Sequence, residues 1–389
     1  MELAPKSKCT GCMACVHNCP TNCISAEQDF LGHQYPVVDR SRCINCGKCQ
    51  RTCPELSAMP AQMPRQAFAA WSLDAESRRT STSGGAAAEL YRAAIHNGFW
   101  IVGVEYQKDF HVVHVISNEE TAIAEFKQSK YVYSEMDGIY QKVKDMLLRG
   151  EKVLFISLPC KIAGLLGYLG DKFDNLVTVD IVCHGTPSYK NLLEHIRYVV
   201  KEDYPEKLGF RRDNEYLLQL MDRNGKAIYK KNGRTDTYLA AFLEGLNYRE
   251  SCYCCSYAKP ERISDITICD FWGLGREIPF NHPYTGAISA VLINTDEGQD
   301  FWKCCMPHMF TEERPVMEAI KGNAQMNAPT PMHLKRKAFE SMYQSDGFEA
   351  AVKHCLGEIM KEEERKIRRQ NVRRILRKAA GIFVKRYRG

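Results

Sequence analysis

Eight cysteines near the amino terminus have the spacing needed to hold iron–sulfur clusters. Between residues 9 and 54 the pattern Cys-x-x-Cys-x-x-Cys-x-x-x-Cys-Pro occurs twice. A four-iron cubane needs four thiolates, and in such paired runs the fourth cysteine of each run ligates the cluster of the other run. The sequence therefore predicts two [4Fe–4S] clusters. The first set is Cys9, Cys12, Cys15 and Cys53, and the second set is Cys19, Cys43, Cys46 and Cys49.

Neighbouring glycines and prolines agree with this interpretation. Gly11 and Gly47 let the backbone pass close to inorganic sulfide, and Pro20 and Pro54 restrict the conformation of the preceding cysteines. Zinc would take four ligands rather than eight, and disulfides do not suit this clustering in an intracellular chain. The pattern predicts electron transfer.

Four later cysteines form a second constellation. Cys160 and Cys183 each follow a predicted buried strand, and Cys252 and Cys255 form a Cys-x-x-Cys pair. Ligands of open α/β sheets bind at the carboxyl ends of the strands. The spacing alone leaves three alternatives: a third [4Fe–4S] cluster, a zinc site, or small buried cysteines without a ligand. The remaining six cysteines show no such pattern, and we interpret them as structural or incidental.

Alternating strands and helices must position these residues. Apolar, β-prone runs predict strands at 66–71, 99–106, 112–116, 152–157, 176–182 and 285–293, and a hairpin at 209–229. Helical periodicity predicts helices at 86–95 and 137–148, and a further helix that runs to residue 200. We expect an α+β or α/β fold: a bacterial-type ferredoxin domain, a mixed α/β domain and a helical tail.

A polar loop at 78–85 joins the first of these strands to a helix. The hydroxyls of Ser81, Thr82 and Ser83, together with free N–H groups at the helix start, could hold a phosphate or pyrophosphate. Such loops are also common as simple caps and turns.

The charge of this 389-residue chain is unevenly distributed. The net charge is +6, but the last 25 residues hold eleven Lys or Arg and no acidic residue, so residues 1–364 carry a net charge of −5. There is no secretory signal pattern and no apolar run of membrane-spanning length, so we expect a cytoplasmic protein. Nucleic-acid binding is not expected, because the acidic body shows no recognition module.

Within the basic tail, apolar residues recur at helical spacing. This pattern suits peripheral contact with the inner face of the membrane or with an acidic partner, or a solvated helix on its own domain. These apolar residues are Val372, Ile375, Leu376, Ala379 and Phe383.

Six motifs follow one another in order between residues 80 and 295. They are Ser83-Gly84-Gly85, Ser129-Lys130-Tyr131, Leu158-Pro159-Cys160, Asp180-Ile-Val-Cys183-His-Gly-Thr-Pro187-Ser188, Cys252-x-x-Cys255 and Asp265-Ile-x-Ile-x-Asp270-Phe-Trp-Gly273. Through these motifs the chain resembles the coenzyme F420 hydrogenase/dehydrogenase beta-subunit family. The resemblance implies an FAD with a nearby third [4Fe–4S] cluster on Cys160, Cys183, Cys252 and Cys255. It also implies a division into residues 1–60 (two-cluster ferredoxin domain), 65–150 (flavin phosphate loop), 151–320 (third cluster and flavin) and 321–389 (helical region and tail).

The resemblance further implies which residues contact the flavin. These are Ser81, Thr82, Ser83, Gly84, Gly85, Lys130, Tyr131 and Trp272. The catalytic candidates are Lys130, His184 and Asp270. Lys130 would place a fixed positive charge at the reduced ring. His184 is either a proton donor or a strand-end histidine, and Asp270 is either an acid/base group or a turn cap.

The expected function is an iron–sulfur flavoprotein oxidoreductase. Electrons from a ferredoxin or another redox protein would pass along the clusters to FAD, which would exchange hydride with a small two-electron substrate. F420, a nicotinamide or a biosynthetic, polysaccharide-related intermediate are the alternatives. The absence of Gly-x-Gly-x-x-Gly after a strand disfavours the usual nicotinamide site. The alternative function is a non-catalytic electron-relay subunit that feeds a partner enzyme.

Overall fold

The computed structural model describes residues 2–201, 204–212 and 215–386, with side chains up to residue 373. Its strands are β1 (Ile24–Gln28), β2 (Gln34–Val38), β3 (Gln66–Ser72), β4 (Phe99–Tyr106), β5 (Val112–Ser117), β6 (Ser134–Glu135), β7 (Lys152–Ser157), β8 (Leu176–Ile181), β9 (Lys207–Arg212), β10 (Glu215–Met221), β11 (Ala227–Asn232), β12 (Ile266–Asp270), β13 (Ser289–Ile293) and β14 (Met309–Arg314). Its α-helices are α1 (Ala14–His17), α2 (Lys48–Thr52), α3 (Ala75–Arg79), α4 (Ala86–His96), α5 (Ala122–Phe126), α6 (Ile139–Leu148), α7 (Pro159–Leu169), α8 (Tyr189–Val199), α9 (Thr237–Leu243), α10 (Asp296–Cys305), α11 (Val316–Gly322) and α12 (Arg336–Arg386). Short 3-10 helices span Glu250–Cys254, Met306–His308 and Ala324–Met326.

A mixed sheet in the order β14-β3-β13-β12-β8-β7-β4-β5-β6 forms the centre of the fold. Strands β12, β8, β7 and β4 run parallel to one another, and β13 pairs antiparallel with both β12 and β3. Strands β3, β12, β8 and β7 therefore end at the same edge of the sheet. The loop at 81–85, Cys160, Cys183 and Asp270 follow or end these four strands.

Helices cover both faces of this sheet, which explains the uninterrupted apolar runs of its central strands. On one face, α4 and α10 pack against Leu154, Val179 and Ile268. On the other face, α6 and α7 enclose Phe155 and Val153, and Cys12 and Ala14 from the amino-terminal segment join the same core. The amino-terminal segment therefore shares a core with the sheet.

A second core lies around the small antiparallel sheet β11-β10-β9. Helices α8, α9 and α12 pack with it around Tyr238, Phe210 and Leu239, which are all buried. At its centre His195 lies 3.0 Å from Asp236 and 2.6 Å from Glu349.

The expected mixed α/β fold, with its amino-terminal ferredoxin-type domain and its carboxy-terminal helix, is confirmed. The structure differs in detail: the predicted hairpin is a three-stranded sheet, and β14 was not predicted because its Thr-Glu-Glu-Arg sequence has too few apolar residues to look like a strand. Helix α12 breaks at Gly347, which has a φ of 78°.

The basic tail continues α12 as far as Arg386. Val372 is 54% exposed, whereas the side chains of Ile375, Leu376, Ala379 and Phe383 lie outside the described residues. Among the described residues, no helix has the length and apolar content required to cross a membrane.

Candidate iron–sulfur and flavin site

Each amino-terminal cysteine set surrounds its own cavity. Cys9, Cys12, Cys15 and Cys53 line the first cavity, of about 380 Å³ including its open mouth. Cys19, Cys43, Cys46 and Cys49 line the second cavity, of about 330 Å³. The sets cross because α1 and α2 pack together: Cys15 lies in α1 and Cys19 follows it, while Cys49 lies in α2 and Cys53 follows it.

Four thiols around a mainly apolar cavity suit a cubane, which brings its own inorganic sulfide. Burial raises the pKa of the Cys53 thiol to about 11, so a thiolate there needs a bound cation for compensation. Among the described residues, no three His, Cys, Asp or Glu side chains approach closely enough to share a single metal ion. The donor set and the cavity fit a cluster in each case.

A third cavity, of about 590 Å³, lies at the carboxyl edge of the large sheet. It is lined by Cys160, Cys183, Cys252 and Cys255. Cys160 stands in the first turn of α7 after β7, Cys183 follows β8, and the last two come from the 3-10 helix and its end. The parallel strands thus bring together residues that are almost 100 positions apart.

Arg262 lines the third cavity and is held there by a buried ion pair. Its Nη2 donates to the Asp180 carboxylate at 2.7 Å, and Ser264 Oγ donates to the other oxygen of the same carboxylate. Because Asp180 and Arg262 are both almost completely buried, each needs the other as compensation.

The first and third cavities are neighbours, because Thr10 lines both. The loop of the first set is fixed by hydrogen bonds from the residues that flank the third set. Lys161 Nζ donates to the Gly11 carbonyl at 3.0 Å, and Ser251 Oγ donates to the Cys9 carbonyl at 3.0 Å. These contacts hold the two cavities at a fixed separation.

Two buried cations lie between these cavities. Lys161 and Arg249 are each about 1% exposed, and both face the ring of Tyr133, at 4.1 and 5.4 Å from its centroid. Neither forms an ion pair with a carboxylate of the described residues, and Arg249 Nε has no hydrogen-bond partner in that part of the chain. A buried cation is costly without negative charge nearby, and the thiolates of the two sets would supply it.

The predicted polar loop at 78–85 is shorter in the structure, because residues 78 and 79 belong to α3. Residues 80–85 join α3 to α4, and their hydroxyls make internal contacts. Ser81 Oγ donates to the Ser77 carbonyl and Ser83 Oγ to the Ile288 carbonyl, while Thr82 Oγ1 accepts from the Ser129 backbone N–H. Gly85 precedes α4 with a φ of 92°, which favours glycine. A Cβ at Gly84 would meet the backbone of β3 and β13.

Lys130 and Tyr131 belong to a segment that lies next to this loop in the folded chain. Lys130 Nζ donates to the carbonyls of Glu125 and Lys127, and burial lowers its pKa to about 8. The Tyr131 ring stacks on Phe242, with ring centroids 4.6 Å apart. Ser129 joins the two segments through Thr82, so the loop at 81–85 and the segment at 129–131 form one surface.

Asp270, at the end of β12, pairs with an arginine that the sequence did not indicate. Arg211 Nη1 lies 2.6 Å from Asp270 Oδ2. Arg211 Nε and Nη2 and Asp270 Oδ1 are buried without a hydrogen-bond partner in the described chain. The guanidinium also lies over the Tyr216 ring, and that ring neighbours Tyr131. The pair therefore holds two donors and one acceptor that no atom of the described chain satisfies.

His184 and Trp272 have different environments. His184 lines the third cavity and its Nδ1 lies 2.5 Å from the Tyr248 hydroxyl, while burial lowers its pKa. Trp272 is 46% exposed, so its ring is not part of the core.

Of the cysteines without a pattern, Cys23 lines the second cavity, with its sulfur 3.4 Å from that of Cys19. Cys254 donates to the Ser7 carbonyl. The other four, Cys269, Cys304, Cys305 and Cys355, line none of the three cavities.

Comparison with known proteins finds two matching families. Residues 150–318 match the family described as the carboxy-terminal part of the coenzyme F420 hydrogenase/dehydrogenase beta subunit, and residues 8–56 match the 4Fe-4S dicluster domain. A coenzyme F420-dependent sulfite reductase of Methanocaldococcus jannaschii is 25% identical over 280 residues, which cover 69% of this chain and 42% of the relative. The chain thus matches about two fifths of that relative's length.

A solved structure, a xenon derivative of the F420-reducing [NiFe] hydrogenase complex from Methanosarcina barkeri, is also similar to this chain. The match has 16% identity and a TM-score of 0.47, and it covers 73% of this chain and 94% of that one. Residues 150–318 thus match the carboxy-terminal part of the coenzyme F420 hydrogenase/dehydrogenase beta subunit, behind a segment that matches a 4Fe–4S dicluster domain.

Proposed function

We propose that the chain is an iron–sulfur flavoenzyme that passes electrons between three [4Fe–4S] clusters and an FAD, which exchanges hydride with a small two-electron substrate. The proposal rests on three cavities that are each lined by four cysteines. The first and third cavities share Thr10. The substrate is F420-like or a biosynthetic intermediate, including a polysaccharide precursor.

In this proposal the cysteines ligate the three clusters as the sequence predicts, and the bound clusters and flavin supply one-electron and two-electron chemistry. Lys161 and Arg249 contribute fixed positive charge between the first and third cavities. Their burial and their hydrogen bonds to the backbone of residues 9–34 support this role.

The flavin would lie on the surface formed by the loop at 81–85 and Lys130 and Tyr131. The support is the pair Arg211 and Asp270, whose unpartnered donors and acceptor match the alternating carbonyl and N–H groups of a flavin ring. The first-turn N–H groups of α4 remain as phosphate donors. The Ser and Thr hydroxyls are already used within the protein, so we assign them to shaping the loop.

Aromatic side chains connect this surface to the third cavity. Tyr131 stacks on Phe242, whose ring centroid lies 5.5 Å from that of His184, and His184 follows Cys183 in the chain. Lys130 would be the positively charged group beside the flavin, and the Asp270 carboxylate would be the proton acceptor there. His184 would position the third cavity through its hydrogen bond to Tyr248.

We further propose a redox protein as the partner of the amino-terminal domain and a cytoplasmic location, with the basic tail in contact with a membrane face or an acidic protein. The domain division given above is part of the same proposal. Peripheral attachment would suit an enzyme of surface-polysaccharide assembly.

An anaerobic preparation assayed for iron, acid-labile sulfide and released flavin tests the proposal. Three cubanes predict about twelve irons, together with one FAD. About eight irons without flavin would refute the third cluster and the flavin, and would favour a non-catalytic electron relay. The twelve-cysteine arrangement also predicts that Cys160→Ser and Cys183→Ser each remove about four irons while the amino-terminal clusters remain.

A further inference from the structure

The three cysteine sites differ in their access to solvent. The first and third cavities are joined by the buried contacts of Lys161, Ser251 and Thr10. The second cavity faces outward: Cys46 is exposed, and Ile44, which lines the cavity, is 64% exposed. A partner protein can therefore approach the second site most closely.

Four exposed basic residues lie within or next to the segment 43–49, which lines this cavity. We call Arg40, Arg42, Lys48 and Arg51 the basic collar. Arg42 Nη2 donates to the Thr21 carbonyl at 3.0 Å, and Arg51 Nη2 donates to the Cys46 carbonyl at 3.2 Å. Thr21 and Cys46 both line the second cavity, so these hydrogen bonds hold the charges at its rim.

The collar contrasts with the rest of the body. Residues 39–51 contain the four collar cations and a single acidic residue, Asp39, whereas residues 1–364 together carry a net charge of −5. The Asp39 carboxylate accepts hydrogen bonds from the backbone and hydroxyl of Ser41. None of the four collar residues forms an ion pair with a described carboxylate within 4.0 Å. Their charges therefore remain available to a partner.

We propose that the basic collar, with Ile44 at its centre, is the docking surface of an acidic electron-carrier protein. This inference rests on the proposed cluster at Cys19, Cys43, Cys46 and Cys49. The carrier would lose one electron as that cluster gains one, or the reverse. An apolar centre inside a charged rim is typical of protein interfaces, and opposite charge raises the rate of encounter without requiring tight binding.

The competing explanation is that the collar only offsets the negative charge of the cluster. In that case its removal would alter cluster stability and reduction by any reagent. Docking instead predicts that only the rate of reduction by the protein carrier changes. This change should depend on salt concentration, because exposed charges are screened at high ionic strength.

The test compares two double variants. The collar variant carries Arg42→Glu and Lys48→Glu, and the matched control carries Arg223→Glu and Lys226→Glu. The control makes the same charge change on the exposed hairpin between β10 and β11. Freeze-quench Mössbauer spectroscopy of the ⁵⁷Fe-enriched holoprotein measures its reduction by an acidic two-[4Fe–4S] ferredoxin of natural iron isotope content and, separately, by a zwitterionic viologen. Only the enriched clusters then contribute to the signal, so the reoxidation of the ferredoxin does not mask it.

We expect the collar variant to lose at least about tenfold in the second-order rate with ferredoxin at low salt, and to approach the wild-type rate at high salt. Its rate with the viologen and its iron content stay unchanged, and the control behaves as wild type. Ile44→Ser slows reduction by ferredoxin at every salt concentration, because its contribution is apolar.

Equal ferredoxin rates in the collar variant and the control would overturn the docking proposal. A parallel loss with ferredoxin and viologen, or a loss of iron, would also overturn it in favour of charge compensation. Flavin content does not enter the readout, so a flavin-free protein with intact clusters refutes the proposed enzyme while the docking test proceeds. A preparation without iron–sulfur absorption would refute the cluster and the docking surface together.

Discussion

Gly164 on α7 lies where the amino-terminal domain meets the large sheet, and Gly164→Ala is the most direct test of that contact. A Cβ at this position would lie 2.8 Å from Cys12 Cβ, 3.1 Å from Cys12 Sγ and 2.6 Å from Tyr140 Oη. Ordinary carbon contacts begin at about 3.5 Å. The added methyl group must therefore displace a proposed cluster ligand or a fully buried tyrosine.

The magnitude follows from two opposing effects. Alanine improves the helix propensity of α7 by about 1 kcal/mol relative to glycine, whereas overpacking of a close-packed core costs about 1–3 kcal/mol. The variant Gly357→Ala shows the gain in helix propensity without overpacking, because Gly357 lies in α12 and a Cβ there meets nothing within 4 Å. Relative to this control, we expect the free energy of unfolding of Gly164→Ala to fall by about 1–3 kcal/mol.

Denaturant titration of the anaerobic holoprotein measures this difference, with iron–sulfur absorption and secondary structure followed together. We expect iron–sulfur absorption to be lost first in Gly164→Ala, because Cys12 is displaced directly. Equal stability of the two variants with full iron content would refute the packing argument. A Cβ at Gly167, one turn later, would clash with the Thr52 carbonyl, so Gly167→Ala should give the same result through a backbone contact.

Three further predictions concern charge. Burial lowers the pKa of His195, but Asp236 and Glu349 more than compensate and raise it to about 9. The stabilisation from protonated His195 is therefore complete below pH about 6.5 and is lost as the pH rises through 9. A urea midpoint that does not fall between those pH values would contradict the assignment. Arg249→Met removes a buried positive charge next to the first and third sites, so we expect both clusters to become harder to reduce. An electron-paramagnetic-resonance redox titration measures this, and the reduction potential of the second site should change less. Equal shifts of the potential at all three sites would argue against a local effect. Arg211→Met removes two unpartnered donors beside Asp270, so the purified protein should lose flavin while keeping its iron; retention of full flavin would place the flavin elsewhere.

The crossed cysteine sets show how far sequence reasoning reaches. Short-range spacing determines which cysteines share a loop, and the repeat itself predicts the exchange of fourth ligands between runs. The structure brings each expected set around one cavity. The role of Cys23, which lines the second cavity, could not be predicted because it lies outside the repeat.

Arg211, Lys161 and Arg249 are the residues that the sequence did not indicate. Arg211 belongs to the small sheet, yet it pairs with Asp270 at the edge of the large one, 59 positions away. Lys161 and Arg249 stand beside predicted ligands, where a basic residue is usually solvated. The backbone of residues 9–34 and the Tyr133 ring cover both side chains and remove them from water.

The cysteine spacing, the alternation of strands and helices and the uneven charge follow from the sequence alone, because each of these depends on neighbours along the chain. Tertiary structure alone decided the order of the strands, and therefore that the first and third cavities share Thr10 while the second opens to solvent. It also decided that the hydroxyls of the loop at 81–85 bond within the protein. Contacts between distant segments form only when burial of the apolar faces fixes how the sheet, the helices and the amino-terminal domain pack.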